Sequence, residues 1–355
     1  MSNQGAKACH EIAKIGNARD NRVMWILFAA LLSISVNAQD RFQPIQIAAK
    51  HGDTIRISGV LGNLQLIHEP QRKNLSIQVD QRSSRTQGDW NLSMERMGSE
   101  IQIEVFSVGN MHQWKSDLNR EQWPRYDIVI RGPSLPVLAS WRQGFVQVVG
   151  WQDKIDLSLL NGKLSVRDSK AELSIQGAQL DFDLSQHQGK VRFVADKGDL
   201  RVASSQGDLD LQLMDGQVRI FDFLGQLKWN SERALFVSQR GGGAWQLTSQ
   251  KGPVEISQFK GQLKGQGEKA LWKVQVAELS EVDIRSNSGP VKLQWRKGAA
   301  KAFLSSQSGS INAPRSTRVR REQNGVSSWL SQWGEGQLGQ IFVKTQTGSI
   351  SLDQF

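Results

Sequence analysis

From about residue 189 to residue 276, apolar and polar side chains alternate in short runs: Lys190-Val191-Arg192-Phe193, Asp199-Leu200-Arg201-Val202, Asp208-Leu209-Asp210-Leu211, Gln217-Val218-Arg219-Ile220. A period of two predicts strands with one face buried and one wet. Each run opens on a glycine, and Gly189, Gly198, Gly207, Gly216, Gly225, Gly243, Gly252 and Gly261 lie on one nine-residue grid. Ala234 fills the vacancy, and Gly144 and Gly162 extend the grid upstream. Strands of about five residues joined by constant corners predict an all-β, single-stranded parallel β-solenoid (β-helix), each rung covering the apolar stripe of the last. The general crossover preference makes it right-handed. Hairpins fit less well, because their turns favour Asn-Gly or Asp-Gly, whereas here the aspartate follows the glycine.

The outward charges bear on rung size. With eighteen residues per turn, Lys190 and Arg192 face Asp208 and Asp210, and Glu255 faces Lys273. One clash remains, Arg201 with Arg219; with twenty-seven, Arg192 meets Arg219 and Arg201 meets Lys228, and only Lys228 and Glu255 match. Like charges at rung spacing repel, so the two-strand rung is expected.

The pattern weakens on either side of the regular coil, assigned to 141–311. Residues 39–140 carry strand-like runs such as TIRISGV and EIQIEVF between polar stretches, and read as an irregular β region capping the first rung. Residues 312–339 show no strand alternation and read as a basic, Trp-containing inserted loop; 340–355 read as the final strands. Residues 1–38 resemble a signal peptide. Arg22 precedes an apolar run, Val23 to Val36, that is too short to span a bilayer, and Val36-Asn37-Ala38 is a small-residue cleavage signature. Export to the periplasm, cell surface or medium is therefore expected, with no transmembrane segment after cleavage.

Charge and cysteine content refine this picture. Cleavage after Ala38 removes four basic and two acidic residues from a net charge of +10, leaving +8. It also removes Cys9, the sole cysteine, and with it any disulfide or thiol nucleophile. A basic exported chain suits an anionic envelope polymer or another envelope protein as partner. No nucleic-acid-binding motif is present, so no specific nucleic-acid partner is expected.

Three sets of residues together resemble the putative-adhesin β-solenoid family, a domain of unknown function in exported bacterial and archaeal proteins. They are HGDTIRISGVLGNLQLI at 51–67, YDIVIRGPSLPVLASWRQGFVQVVGW at 126–151, and the repeated SSQGDLDL, SNSGPVKL, SSQSGSI and TQTGSISL. The resemblance spans nearly the whole mature chain. It implies the solenoid fold and a role in adhesion, scaffolding or cell-envelope interaction, and it brings no catalytic residue or cofactor.

Candidate chemistry is sparse, and a non-enzymatic protein is expected. Calcium-binding β-rolls need G-G-x-G-x-D, which the single-glycine nonads lack. Asp181/Asp183 and Asp208/Asp210 each share a strand face, as a glycosidase pair would. Their neighbours are Lys and Arg, which reads as a solvated charge ladder, and a carbohydrate-active β-helix enzyme is the alternative. His51, His68, His112 and His187 lack metal-ligand spacing, so no metal or cofactor is expected. Trp229, Trp245 and Trp272 occupy inward grid positions and read as core. Arg315, Arg318, Arg320 and Arg321 with Trp329 and Trp333 form a basic, aromatic segment that could hold an anionic partner.

Overall fold

The computed structural model describes residues 43–81, 90–107, 125–277, 280–295, 299–313, 318–321, 326–333 and 338–354. The expected signal segment lies outside them. Every regular element among the described residues is a β-strand, and the chain is all-β.

From Val137 to Val274 the strands stack in parallel at a register of eighteen residues, which becomes nineteen at Glu281 and Val291. Ile155 lies beside Leu173 and Leu173 beside Val191. Gln217 lies beside Leu235, and Leu224 beside Gly242. Each rung thus contains two nine-residue halves, and the glycine grid splits into two columns. A Cβ on Gly207 would stand 2.1 Å from the Gly189 carbonyl oxygen, and one on Gly225 2.0 Å from that of Gly207. These glycines also have φ of +130° and +148°, so close approach and conformation both exclude a side chain. Later corners use a different device. The Ser249, Ser286 and Thr345 hydroxyls donate to the carbonyls of Gly252, Gly289 and Gly348 at 2.6, 3.0 and 2.7 Å. This accounts for the Ser/Thr-x-x-Gly motif: the buried hydroxyl satisfies a carbonyl that the corner takes out of the ladder.

Once in each rung the chain turns at a left-handed residue other than glycine. Asp168, Gln186, Ser204, Asp222, Arg240 and Gln258 have φ between 47° and 56° and fall eighteen apart. Their amides reach the next rung: Asp168 N–H donates to Ser185 O at 3.2 Å, Gln186 to Ala203 at 3.1 Å and Arg240 to Ser257 at 3.0 Å. Ladder bonds hold an unfavourable backbone conformation at every turn.

Inside, one column runs Trp151, Ser169, His187, Ser205, Phe223, Gly241, Phe259, all buried. Small residues make room for large neighbours: a Cβ on Gly241 would be 2.1 Å from the Trp245 ring, which packs 4.9 Å from Phe259. Trp229, Trp245 and Trp272 are core, at most 2% exposed.

Both ends depart from sequence order. The first half of Thr54–His68 pairs in parallel with Val137–Val149 on one side and Glu100–Ser107 on the other, and its second half with Val137–Val149 and Tyr126–Gly132. Antiparallel strands Trp90–Met97 and Asn74–Gln81, then Ile45–Ala48, close that end. Within 39–140, Thr54–His68, Glu100–Ser107 and Tyr126–Gly132 thus take part in parallel pairing. At the far end the last strands in sequence are not last in the stack. Gly339–Thr345 lies between Glu281–Ser286 and Ala300–Ser306, parallel to both, and Ile350–Gln354 lies between Val291–Trp295 and Ile311–Asn312. Within the expected loop, Ser327–Trp333 pairs antiparallel with Ala300–Ser306 and then with Arg318–Arg321. The antiparallel additions cover the rung edge, which alternation within the segment alone did not reveal.

Candidate functional site

The outward face of the half-rungs that follow Gly189, Gly207, Gly225, Gly243 and Gly261 forms a shallow groove of about 670 Å³, running from Lys154 to Lys264. A second hollow of about 350 Å³ shares Gln262 and Lys264 with it and ends at Phe303 and Phe342. The strand period assigns the surface. Residues one, three and five after each corner point outward while two and four enter the core.

Three outward columns result. The central one reads Asp156, Ser174, Arg192, Asp210, Lys228, Gln246, Lys264, Asp283, Phe342, Phe303. Beside it the column Gln176, Val194, Gln212, Asn230, Thr248, Gln266 supplies neutral donors and acceptors at every rung but that of Val194. Phe303 and Phe342 stack at 5.2 Å and 14°, with the Arg285 guanidinium 5.7 Å from the Phe342 ring.

Lys154 and Asp156 pair at 3.2 Å at the groove's first rung, and most other ion pairs lie elsewhere. Arg240 holds Asp222 at 2.8 Å across one rung of the left-handed column, and their mutual hydrogen bond pushes Asp222 below the ordinary carboxylate range and Arg240 upward. Lys273 meets Glu255 at 2.6 Å, as its eighteen-residue separation requires. The other expected ladder does not close: Lys190, Arg192, Asp208, Asp210 and Lys228 line the groove without an ion pair within 4.0 Å among the described residues. Neighbouring rungs bring them side by side, but their side chains extend over the groove.

The expected anion-binding segment is redistributed. Arg318, Arg320 and Arg321 lie on strand Arg318–Arg321, and Trp329 and Trp333 on Ser327–Trp333. Arg315 lies outside the described residues. Trp329 stands opposite Leu304 and is 0% exposed, so it packs the last rung and cannot touch a ligand. Leu330, the next residue, is 54% exposed, opposite Phe303 on one side and Arg318 on the other. Sequence reasoning missed the Phe342–Phe303–Leu330 row because its members meet only through the out-of-order stacking.

Of the histidines, His68 Nδ1 lies 3.0 Å from the Ser134 hydroxyl and His187 is buried in the interior column. His112 lies outside the described residues. Among the described residues no group of His, Cys, Asp or Glu is arranged to hold a metal, and no helix is long and apolar enough to cross a membrane.

The architecture defines an all-β stacked-rung protein with a polar groove along one face. No family model and no curated protein matches the chain. Among solved structures, one described as a putative cell adhesion protein from Clostridium sporogenes is 12% identical, covering 88% of this chain and 100% of that chain at a TM-score of 0.22. A likeness at that score carries no argument about this chain.

Proposed function

We propose that the chain is an exported, right-handed, single-stranded β-solenoid that acts without catalysis in adhesion, scaffolding or cell-envelope interaction. The observation that carries this reading is the groove: polar and charged side chains, Lys190, Arg192, Asp208, Asp210 and Lys228 among them without an ion pair among the described residues, displayed at fixed spacing on a hydrogen-bonded stack. The ladder fixes the backbone and hence the spacing of these side chains, so a partner pays to order the side chains alone and not the chain that carries them. The resemblance of the glycine and Ser/Thr-x-x-Gly corners to the putative-adhesin β-solenoid family supports the same reading, as does the signal-like segment ahead of residue 39. Arg318, Arg320 and Arg321 are a second proposed contact for an anionic envelope polymer.

The test is sedimentation of the purified protein with envelope fragments of the producing cell. Binding that weakens in Arg318→Gln/Arg320→Gln/Arg321→Gln and at raised salt is expected. Deleting the whole hairpin is the wrong perturbation, because it would strip the edge of Ala300–Ser306. Absence of envelope binding by the intact protein would remove the proposal.

A carbohydrate-active enzyme is the second reading, and Asp208 and Asp210 favour it because both line the groove. Release of reducing ends from a polysaccharide, abolished in Asp208→Asn, would establish it over the display role.

A further inference from the structure

The central column of the groove carries a spacing that single residues do not show. Arg192, Lys228 and Lys264 occupy every second rung, with Asp210 and Gln246 on the rungs between. Rungs stack about 4.8 Å apart, so successive cations lie about 9.6 Å apart along the stacking axis. That distance is about the length of one disaccharide in an extended polysaccharide.

The neighbours suit the same ligand. Gln212, Asn230, Thr248 and Gln266 form an adjacent column able to donate to and accept from hydroxyls. Asp210 is half-buried between two cations and accepts hydroxyls while repelling an anion. At the far end the stacked Phe303 and Phe342 rings, partly exposed, offer an apolar face to a pyranose ring.

We infer that this face binds one extended strand of an acidic polysaccharide bearing a single anionic group per disaccharide, laid along the stacking axis with its anions on Arg192, Lys228 and Lys264. The inference rests on the display reading and specifies its ligand. Attraction comes from the cations, and selectivity from Asp210: a polymer charged on every residue places an anion against that carboxylate.

The experiment compares hyaluronan oligosaccharides, charged on alternate residues, with oligogalacturonate of equal length and with single-stranded oligothymidylate. Binding is measured by calorimetry or fluorescence anisotropy at low salt. The wild-type chain is expected to prefer hyaluronan. Lys228→Gln/Lys264→Gln should weaken it roughly tenfold, since each exposed ion pair contributes at most a few-fold. Lys163→Gln/Lys292→Gln removes the same net charge from the other half-rung face and should leave affinity nearly unchanged; near-ultraviolet circular dichroism checks that both variants are folded. Asp210→Asn should raise affinity for oligogalacturonate. Equal weakening in the two double variants reduces the attraction to net charge and overturns the inference, as does equal binding of all three polymers. Envelope binding without affinity for any acidic oligosaccharide overturns the inference and leaves the display role standing; loss of envelope binding as well removes both.

Discussion

Acidification should destabilise this protein through His187 in a way that can be isolated. The side chain lies in the interior column, 1% exposed, between the rungs of Ser169 and Ser205, and its backbone N–H donates to Ser205 Oγ at 3.2 Å. Burial pushes the imidazole from its ordinary 6.5 down to about 4, with the Ser169 backbone pulling the other way. A depressed histidine means that the folded state keeps the neutral ring while the unfolded chain takes up a proton first. The stability so contributed is complete above about pH 6.5, falls as pH drops towards 4, and declines no further below that. A gap of about 2.5 pH units at 1.36 kcal/mol per unit comes to roughly 3 kcal/mol. His187→Phe removes the titration and keeps an aromatic ring of the kind the column holds at Phe223 and Phe259. Urea unfolding followed by tryptophan fluorescence, at intervals between about pH 7.5 and about pH 4, gives wild-type and variant stabilities whose difference cancels the carboxylates and the remaining histidines. That difference should shift against the wild type by roughly 3 kcal/mol across the interval, with a slope approaching 1.4 kcal/mol per pH unit in its middle. A flat difference would refute the reasoning, since it would mean that the imidazole is protonated as easily inside the stack as in the unfolded chain.

Two further outcomes follow from the backbone. Gln186→Gly and Gln258→Gly replace left-handed residues of φ 51° and 56°; each should raise stability by up to about 1 kcal/mol in the same urea assay, because the relieved strain exceeds the added entropy of glycine. Truncation after residue 338 should lower amide hydrogen-exchange protection at 300–306 and 311–312 while sparing 189–276, because among the described residues the deleted strands are the parallel partners that join Ala300–Ser306 and Ile311–Asn312 to the stack. Full retention of protection at 300–306 would mean that the antiparallel pairing with Ser327–Trp333 holds this strand without the parallel stack, and would refute the prediction.

The sequence by itself determined the repeating unit. Alternation named the buried face, the nine-residue glycine beat named the corners, and charge matching between rungs pointed to eighteen residues per rung, although of the pairs it invoked Glu255–Lys273 closes while Lys190 and Arg192 do not meet Asp208 and Asp210. These are local signals: a residue's own neighbours decide whether it faces in or out, and a glycine where two backbones nearly touch is demanded wherever the rung turns. Serine three residues before glycine was equally visible, although its hydroxyl-to-carbonyl bond needed coordinates to be recognised. Tertiary structure alone decided the order of the end rungs. Nothing in Gly339–Thr345 records that it slides between two earlier segments, because every parallel edge presents the same ladder of donors and acceptors. The same step assembled the Phe342–Phe303–Leu330 row and turned Trp329 from a candidate contact into core. It also left Lys190, Arg192, Asp208 and Asp210 reaching over a groove, since stacking fixes where side chains start and solvation decides whether exposed partners meet.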